Sequence, residues 1–135
     1  MIRTIISIIL FTLCSHSLFG QSYRDRMRSA IDMGNHSTAF VFTDTRYTGD
    51  YADDYSCPEC EYPSKLLTND IFYKLTLDRS MYLDFSLDFS SIRGTYIHIL
   101  NSSGREIHHY SEYNASFWLT DGVYYFVIEP EFLLS

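Results

Sequence analysis

The sequence predicts an all-β protein that folds as an antiparallel β-sandwich. Apolar and polar side chains alternate in several short segments, these segments recur at intervals of about 8 to 12 residues, and no long segment repeats apolar residues every three or four positions. Alternation with a period of two places the apolar side chains on one face of each strand. With 135 residues, 46% of them hydrophobic, the chain has enough material for one domain around one core.

The N-terminus has the pattern of an export signal. Arg3 supplies a positive charge, the apolar run Ile5 to Leu13 follows, and small residues precede Gln21. Because this run is too short to cross a bilayer as a helix, we expect residues 1–20 to be removed and no membrane span to remain. An uncleaved membrane anchor is the alternative. The predicted location is outside the cell or on its surface.

The charge balance limits the partners of the mature chain. Loss of Arg3 with the signal leaves 9 basic residues against 17 acidic ones, a net charge of about -8. Binding a phosphate backbone requires a basic patch, so nucleic acid is excluded as an expected partner.

The chain after the signal divides into three parts. Residues 21–36 are predicted as a flexible lead-in, and residues 37–135 as the sandwich, whose first strand covers Thr38 to Thr43. Residues 44–70 contain proline, glycine and several acids, which predicts a long acidic loop that carries two cysteines.

Further strands follow that loop. Three turns between them are predicted as hairpins, at residues 78–80, 101–104 and 121–122. The segment Val123 to Ile128 is apolar on both faces, as a central strand would be. We expect Leu75, Leu83 and Val127 to share one core between the two sheets.

Three segments carry a family resemblance. They read N-D-I-F-Y-K-L-T-L over residues 69–77, G-T-Y-I-H-I-L-N-S-S-G-R-E-I over 94–107, and D-G-V-Y-Y-F-V-I-E over 121–129. This pattern resembles the bacterial pre-peptidase C-terminal domain family, called PPC-like here. The resemblance implies a secreted, non-catalytic, jelly-roll-like sandwich attached to a larger exported protein, and some relatives bind calcium, collagen or polysaccharide.

The chain departs from that family's pattern in three places. Gly94 stands where an aspartate is expected, and His108-His109-Tyr110 replaces an acidic turn, which weakens a calcium site near that hairpin. The last strand that normally closes the sandwich is missing after Glu129. We therefore expect either a fragmentary domain or a sheet with an open edge that a strand from a partner could complete.

Cys57 and Cys60 are the most specific local feature of the acidic loop. In an exported protein that has lost Cys14 with its signal, these two cysteines are expected to form a local disulfide. Two free thiols are the alternative. A zinc site would need two further ligands, and a thioredoxin-like motif would need a βαβ context.

The same loop offers carboxylates for a cation. Asp50, Asp53 and Asp54 could converge in a turn, and carboxylate oxygens are the ligands that calcium prefers. A loop that is simply kept in water by its charges is the alternative. Calcium is the only cofactor that the sequence suggests.

Aromatic residues are the candidates for ligand binding. Trp118 and Tyr96 are predicted on outward faces of strands, where flat rings stack on sugars or anchor a protein partner. The competing interpretation is that they are ordinary strand residues.

No sequence frame for a nucleophile and its base is present, so no catalytic residue is assigned. Glu106, His108 and His109 suggest a metal site only superficially, since adjacent strand residues point to opposite faces.

These observations predict a non-catalytic secreted or cell-surface module, binding or accessory, that recognises extracellular carbohydrate or protein. The alternative is the N-terminal part of a larger exported surface protein or peptidase, in which the sandwich is a structural spacer.

Overall fold

Alternating apolar side chains organise the chain into strands. The computed structural model describes residues 3–11, 27–47, 70–89, 94–111 and 114–131. Within these ranges there are nine strands: β1 Arg3–Phe11, β2 Ile31–His36, β3 Val41–Tyr47, β4 Ile71–Leu77, β5 Met81–Phe89, β6 Gly94–Leu100, β7 Glu106–Tyr110, β8 Asn114–Leu119 and β9 Gly122–Glu131.

The strands form the two sheets of an all-β sandwich, as the sequence predicts. The four-stranded sheet has the order β3-β1-β5-β8, and the five-stranded sheet has the order β2-β4-β9-β6-β7. One apolar cluster fills the space between them and includes Leu75 and Leu83. The rings of Phe85 and Phe126, one from each sheet, stack at 5.8 Å across this core.

Val127 departs from the expected core. It belongs to a second cluster with Phe72 and Leu100, whereas its neighbours Phe126 and Ile128 face the main core. Because β9 is a central strand, both of its faces are buried, and its odd-numbered residues point away from the other sheet.

Both sheets are mixed, whereas the sequence suggests antiparallel pairing throughout. β1 runs parallel to β3 and to β5, and β2 runs parallel to β4. The pairs β4·β9, β5·β8, β6·β7 and β6·β9 are antiparallel. Alternation fixes which side of a strand is apolar, but it contains no information about the direction of the neighbouring strand.

One of the three predicted hairpins is confirmed. Residues 101–104 join β6 to β7, and Gly104 adopts a φ of 83° in this turn. The predictions at residues 78–80 and 121–122 are wrong, because β4 and β9 lie in one sheet while β5 and β8 lie in the other. Short turns with glycine, asparagine or aspartate reverse the chain equally well at a corner of the sandwich.

Three segments at the N-terminal side differ from the sequence-based description. The apolar run predicted as an export signal forms most of β1 in the four-stranded sheet as far as Phe11, and part of the predicted lead-in forms β2. The first predicted strand begins later and extends to Tyr47, into the predicted loop. It does so because Asp44 has partners there: Arg46 Nε lies 2.6 Å from its carboxylate, and the Tyr73 hydroxyl donates to it over 3.3 Å.

Candidate binding face

The outer surface of β5 and β8 combines aromatic and polar side chains. The two strands pair antiparallel, and their inward residues, such as Leu83 and Phe117, are buried in the core. Their outward residues alternate with these. We call the outward set the Trp118 face; it consists of Tyr82, Asp84, Ser86, Asn114, Ser116 and Trp118.

The register of the two strands sets the geometry of this face. Tyr82 lies directly opposite Trp118, and Asp84 lies opposite Ser116. The Ser116 hydroxyl donates a hydrogen bond to Asp84 Oδ1 over 2.7 Å. Directly opposite residues have Cβ atoms about 5 Å apart, so the Tyr82 and Trp118 side chains leave the sheet from the same part of the face as the hydrogen-bonded Ser116 and Asp84.

Trp118 is unusually accessible for its size. Its exposed fraction is 51%, which makes it one of four exposed large apolar side chains among the described residues. Tryptophan is large and is normally mostly covered in a folded protein. An indole held open to solvent on a paired strand is available for a ligand.

The outer surface continues across the rest of the four-stranded sheet. Ile5 on β1 lies between Asp84 and Val41 in the register, and Ser7 lies between Ser86 and Thr43. Ile5 is 52% exposed and Val41 is 68% exposed. The surface is therefore a strand face with hydroxyl groups at several positions and two aromatic residues, Tyr82 and Trp118, at one end.

This arrangement offers the groups that a binding surface uses. An exposed indole can stack on the apolar face of a sugar ring, and neighbouring hydroxyl and carboxylate groups can bond the ring hydroxyls. Alternatively, the same groups can anchor a protein surface.

A second cluster of polar side chains lies on the outer side of the five-stranded sheet. His98 on β6 is only 4% exposed and lies between two glutamates. Its Nδ1 is 2.7 Å from Glu106 Oε2, and its Nε2 is 2.9 Å from Glu129 Oε2. His109 Nδ1 lies 3.3 Å from the other oxygen of Glu106.

The two carboxylates determine the charge of His98. Burial alone would lower its pKa, but the hydrogen bonds and negative charges of Glu106 and Glu129 outweigh this and raise the pKa from 6.5 to about 9. His98 is therefore an imidazolium at neutral pH, with both ring nitrogens bonded. An imidazolium in this state is neither a general base nor a metal ligand.

The structure separates the two ligand-binding residues predicted from the sequence. Trp118 lies on the four-stranded sheet, whereas Tyr96 lies on the five-stranded sheet with its ring 6.4 Å from that of His98. These two residues cannot contribute to one site on a single face. Asp50, Asp53 and Asp54, together with Cys57 and Cys60, lie outside the described residues.

The histidines of β7 behave as strand geometry predicts. His109 faces the Glu106 side chain, while the ring of His108 lies 6.3 Å from that of Tyr110, which packs against the main core. The two imidazoles therefore point to opposite faces. Within the described ranges, no group of three or more histidine, cysteine or acidic side chains could hold a metal ion.

Two sets of polar residues that the structure brings together are not among the residues predicted from the sequence. His98 and Glu129 are isolated polar residues in otherwise apolar strands, a signal that indicates a buried polar pair. Asp84 and Ser116 have no such signal, because their proximity depends on the pairing of β5 with β8.

Comparisons of the chain with protein-family models, with curated proteins and with solved structures returned no match. The fold defines the chain as an all-β sandwich. Over the ranges that the structure describes, no helix is long and apolar enough to cross a membrane.

Proposed function

We propose that this chain is a non-catalytic binding module of the secreted or cell-surface kind, and that it holds an extended carbohydrate on the Trp118 face. The observation that carries the proposal is the exposed indole of Trp118, which lies opposite Tyr82 in the strand register and on the same face as the Asp84–Ser116 hydrogen bond. A protein ligand on the same face is the competing outcome of the test.

The shape of the face favours a chain-like ligand. The strands β5 and β8 present their outward side chains in register over several residues, so contacts can repeat along a polymer. Stacking on an aromatic ring needs little side-chain ordering, because tryptophan has only two rotatable torsions. Binding would therefore be concentrated on Trp118 and supplemented by hydrogen bonds.

Two sequence features support the extracellular part of the proposal. The segment of residues 1–20 has the pattern of an export signal. The resemblance to the PPC-like family points in the same direction, since its members are non-catalytic modules of exported proteins. The acidic composition is compatible with both.

The polar cluster at His98 supports a non-catalytic role. Both nitrogens of this imidazole are engaged by Glu106 and Glu129, so neither is available to accept a proton from a nucleophile. We therefore assign no acid-base chemistry to it.

The test is glycan binding by the purified chain, first on an array and then by titration calorimetry with the strongest ligand. We expect Trp118→Ala to weaken binding at least tenfold, because a stacked aromatic residue at the centre of a site is typically worth ~2 kcal/mol and tenfold in affinity corresponds to ~1.4 kcal/mol. Circular dichroism should show an unchanged fold, since Trp118 is largely exposed.

The matched control is Ile107→Ala. Ile107 is also an exposed large apolar residue, but it lies on β7 of the other sheet. Its removal should leave glycan binding unchanged. Equal effects of the two substitutions, or no glycan bound by the wild-type chain, would exclude the Trp118 face as a carbohydrate site.

A further inference from the structure

β1 fills a slot in the centre of the four-stranded sheet. It pairs with β3 on one side and with β5 on the other, and seven or eight of its residues have a partner in each ladder. Ile6 and Ile8 are completely buried in the main core. Thr4 is also buried, and the Phe40 amide donates to its hydroxyl at 3.5 Å.

The same segment has the pattern of a removable export signal. Loss of residues 1–20 would expose the facing edges of β3 and β5 and would open the core where Ile6 and Ile8 lie. Unpaired edge strands and buried amides without partners are unfavourable, so an emptied slot would be a strong acceptor for another strand.

We propose that the mature module binds, in the slot between β3 and β5, an extended strand from a separate polypeptide. This inference rests on the export part of the proposed function and is independent of carbohydrate binding. Main-chain hydrogen bonds on both sides would give the affinity, and the buried side-chain positions would give the specificity.

The structure defines which strand fits. β3 and β5 both run parallel to β1 and therefore in the same direction as each other, so an incoming strand has the same orientation toward both neighbours. Its inward positions need a small polar residue followed by two aliphatic residues, as Thr4, Ile6 and Ile8 are now.

The outward position of the partner strand that replaces Ile5 is expected to be basic. In the register of β1 with β5, the exposed Ile5 lies opposite Asp84. A lysine or arginine at this position would face a carboxylate across the ladder. The partner is therefore a strand that is aliphatic on one face and carries a basic residue on the other.

The experiment uses the full chain with a protease recognition sequence placed at the Gly20–Gln21 bond. After folding, the bond is cut, and labelled nine-residue peptides compete with the severed N-terminal segment for the slot. One peptide is the Arg3–Phe11 sequence with Ile5→Lys, and the other is the same sequence with Ile6→Lys. The two peptides have identical composition and charge.

We expect the Ile5→Lys peptide to exchange into the cut protein and the Ile6→Lys peptide to bind at least a hundredfold more weakly, because its lysine would enter the core. Asp84→Asn in the protein should reduce the affinity of the Ile5→Lys peptide and should affect the unsubstituted Arg3–Phe11 peptide less.

Equal binding of the two peptides would overturn the proposal, since it would indicate non-specific adhesion. The proposal would also be overturned if the severed N-terminal segment dissociated, the melting temperature of the remaining protein did not change, and neither peptide bound. Glycan binding on the uncut chain is measured separately, so peptide exchange without glycan binding would exclude only the carbohydrate assignment.

Discussion

A single buried imidazolium links three strands of the five-stranded sheet. His98 on β6 bonds Glu106 on β7 and Glu129 on β9. A buried charge is stable only when it is paired, and His98 has a carboxylate on each ring nitrogen. Removing the proton would leave two carboxylates close together with one donor between them. The residue therefore makes the stability of the sheet dependent on pH.

We predict that the protein loses stability between neutral and alkaline pH. Because the pKa of His98 rises from 6.5 to about 9 on folding, its contribution is fully present below pH 6.5 and is lost as the pH passes through about 9. The loss should be on the order of 3 kcal/mol. Urea unfolding at pH 6.5 and at pH 9.5 measures it.

The variant His98→Gln should lower the free energy of unfolding and should also flatten this pH dependence. NMR titration of the wild-type His98 ring gives a second measurement that does not require the variant to fold. A midpoint near the ordinary value of 6.5 would contradict the prediction.

The turn between β6 and β7 holds Gly104 in a left-handed conformation that few residue types adopt. Gly104 has a φ of 83°, and the Asn101 side chain accepts hydrogen bonds from the amides of Ser103 and Arg105 in the same turn. We predict that Gly104→Val costs about 1–2 kcal/mol, whereas Gly104→Asn costs a few tenths, because asparagine tolerates a positive φ. Thermal unfolding of both variants checks the difference, and equal costs would contradict it.

Among the elements, β1 provides the sharpest test of packing. Ile6 points into the core, and its neighbour Ile5 points to solvent. In the uncut chain we predict that Ile6→Ala lowers the free energy of unfolding by about 2–4 kcal/mol and Ile5→Ala by less than about 1 kcal/mol. Urea unfolding measures both. Similar small effects would mean that β1 is not part of the folded sheet.

The sequence predicted the strands after residue 70 better than those before it. From Ile71 to Leu87 the alternation is regular, and both strands appear with the expected inward faces. β3 contains the acid Asp44, whose tertiary partner Tyr73 is 29 residues away. Local propensity cannot reveal such a partner, so the sequence of residues 44–47 predicts a loop where the structure has a strand.

The candidate site was predictable only in part. Trp118 is conspicuous as the single tryptophan, but the run Phe117-Trp118-Leu119 is apolar throughout, so the sequence does not decide which of these side chains faces water. In the structure Phe117 and Leu119 are buried and Trp118 is exposed. The neighbours of Trp118 depend on which strand pairs with β8. The turn at residues 121–122 predicts that this partner is β9, whereas in the structure it is β5. A strand's own sequence does not specify its partner when a short turn can also cross between sheets.

At the scale of the whole molecule, one core joins the two sheets. The main apolar cluster contains residues from both, and the stacked rings of Phe85 and Phe126 meet at its centre. Neither sheet can keep its inner face buried without the other. The two sheets should therefore unfold together.

We predict a single cooperative transition that reports equally from both sheets. Trp118 is the only tryptophan and lies in the four-stranded sheet, whereas Phe126 lies in the five-stranded sheet. The substitution Phe126→Leu should lower the free energy of unfolding by about 1–2 kcal/mol, and the fluorescence of Trp118 should report the same shift as far-ultraviolet circular dichroism. If the Trp118 transition stayed at its wild-type midpoint while the circular dichroism moved, the sheets would be independent units. If both signals shift together, the strands that carry Trp118 are stabilised by the same core that packs against the five-stranded sheet.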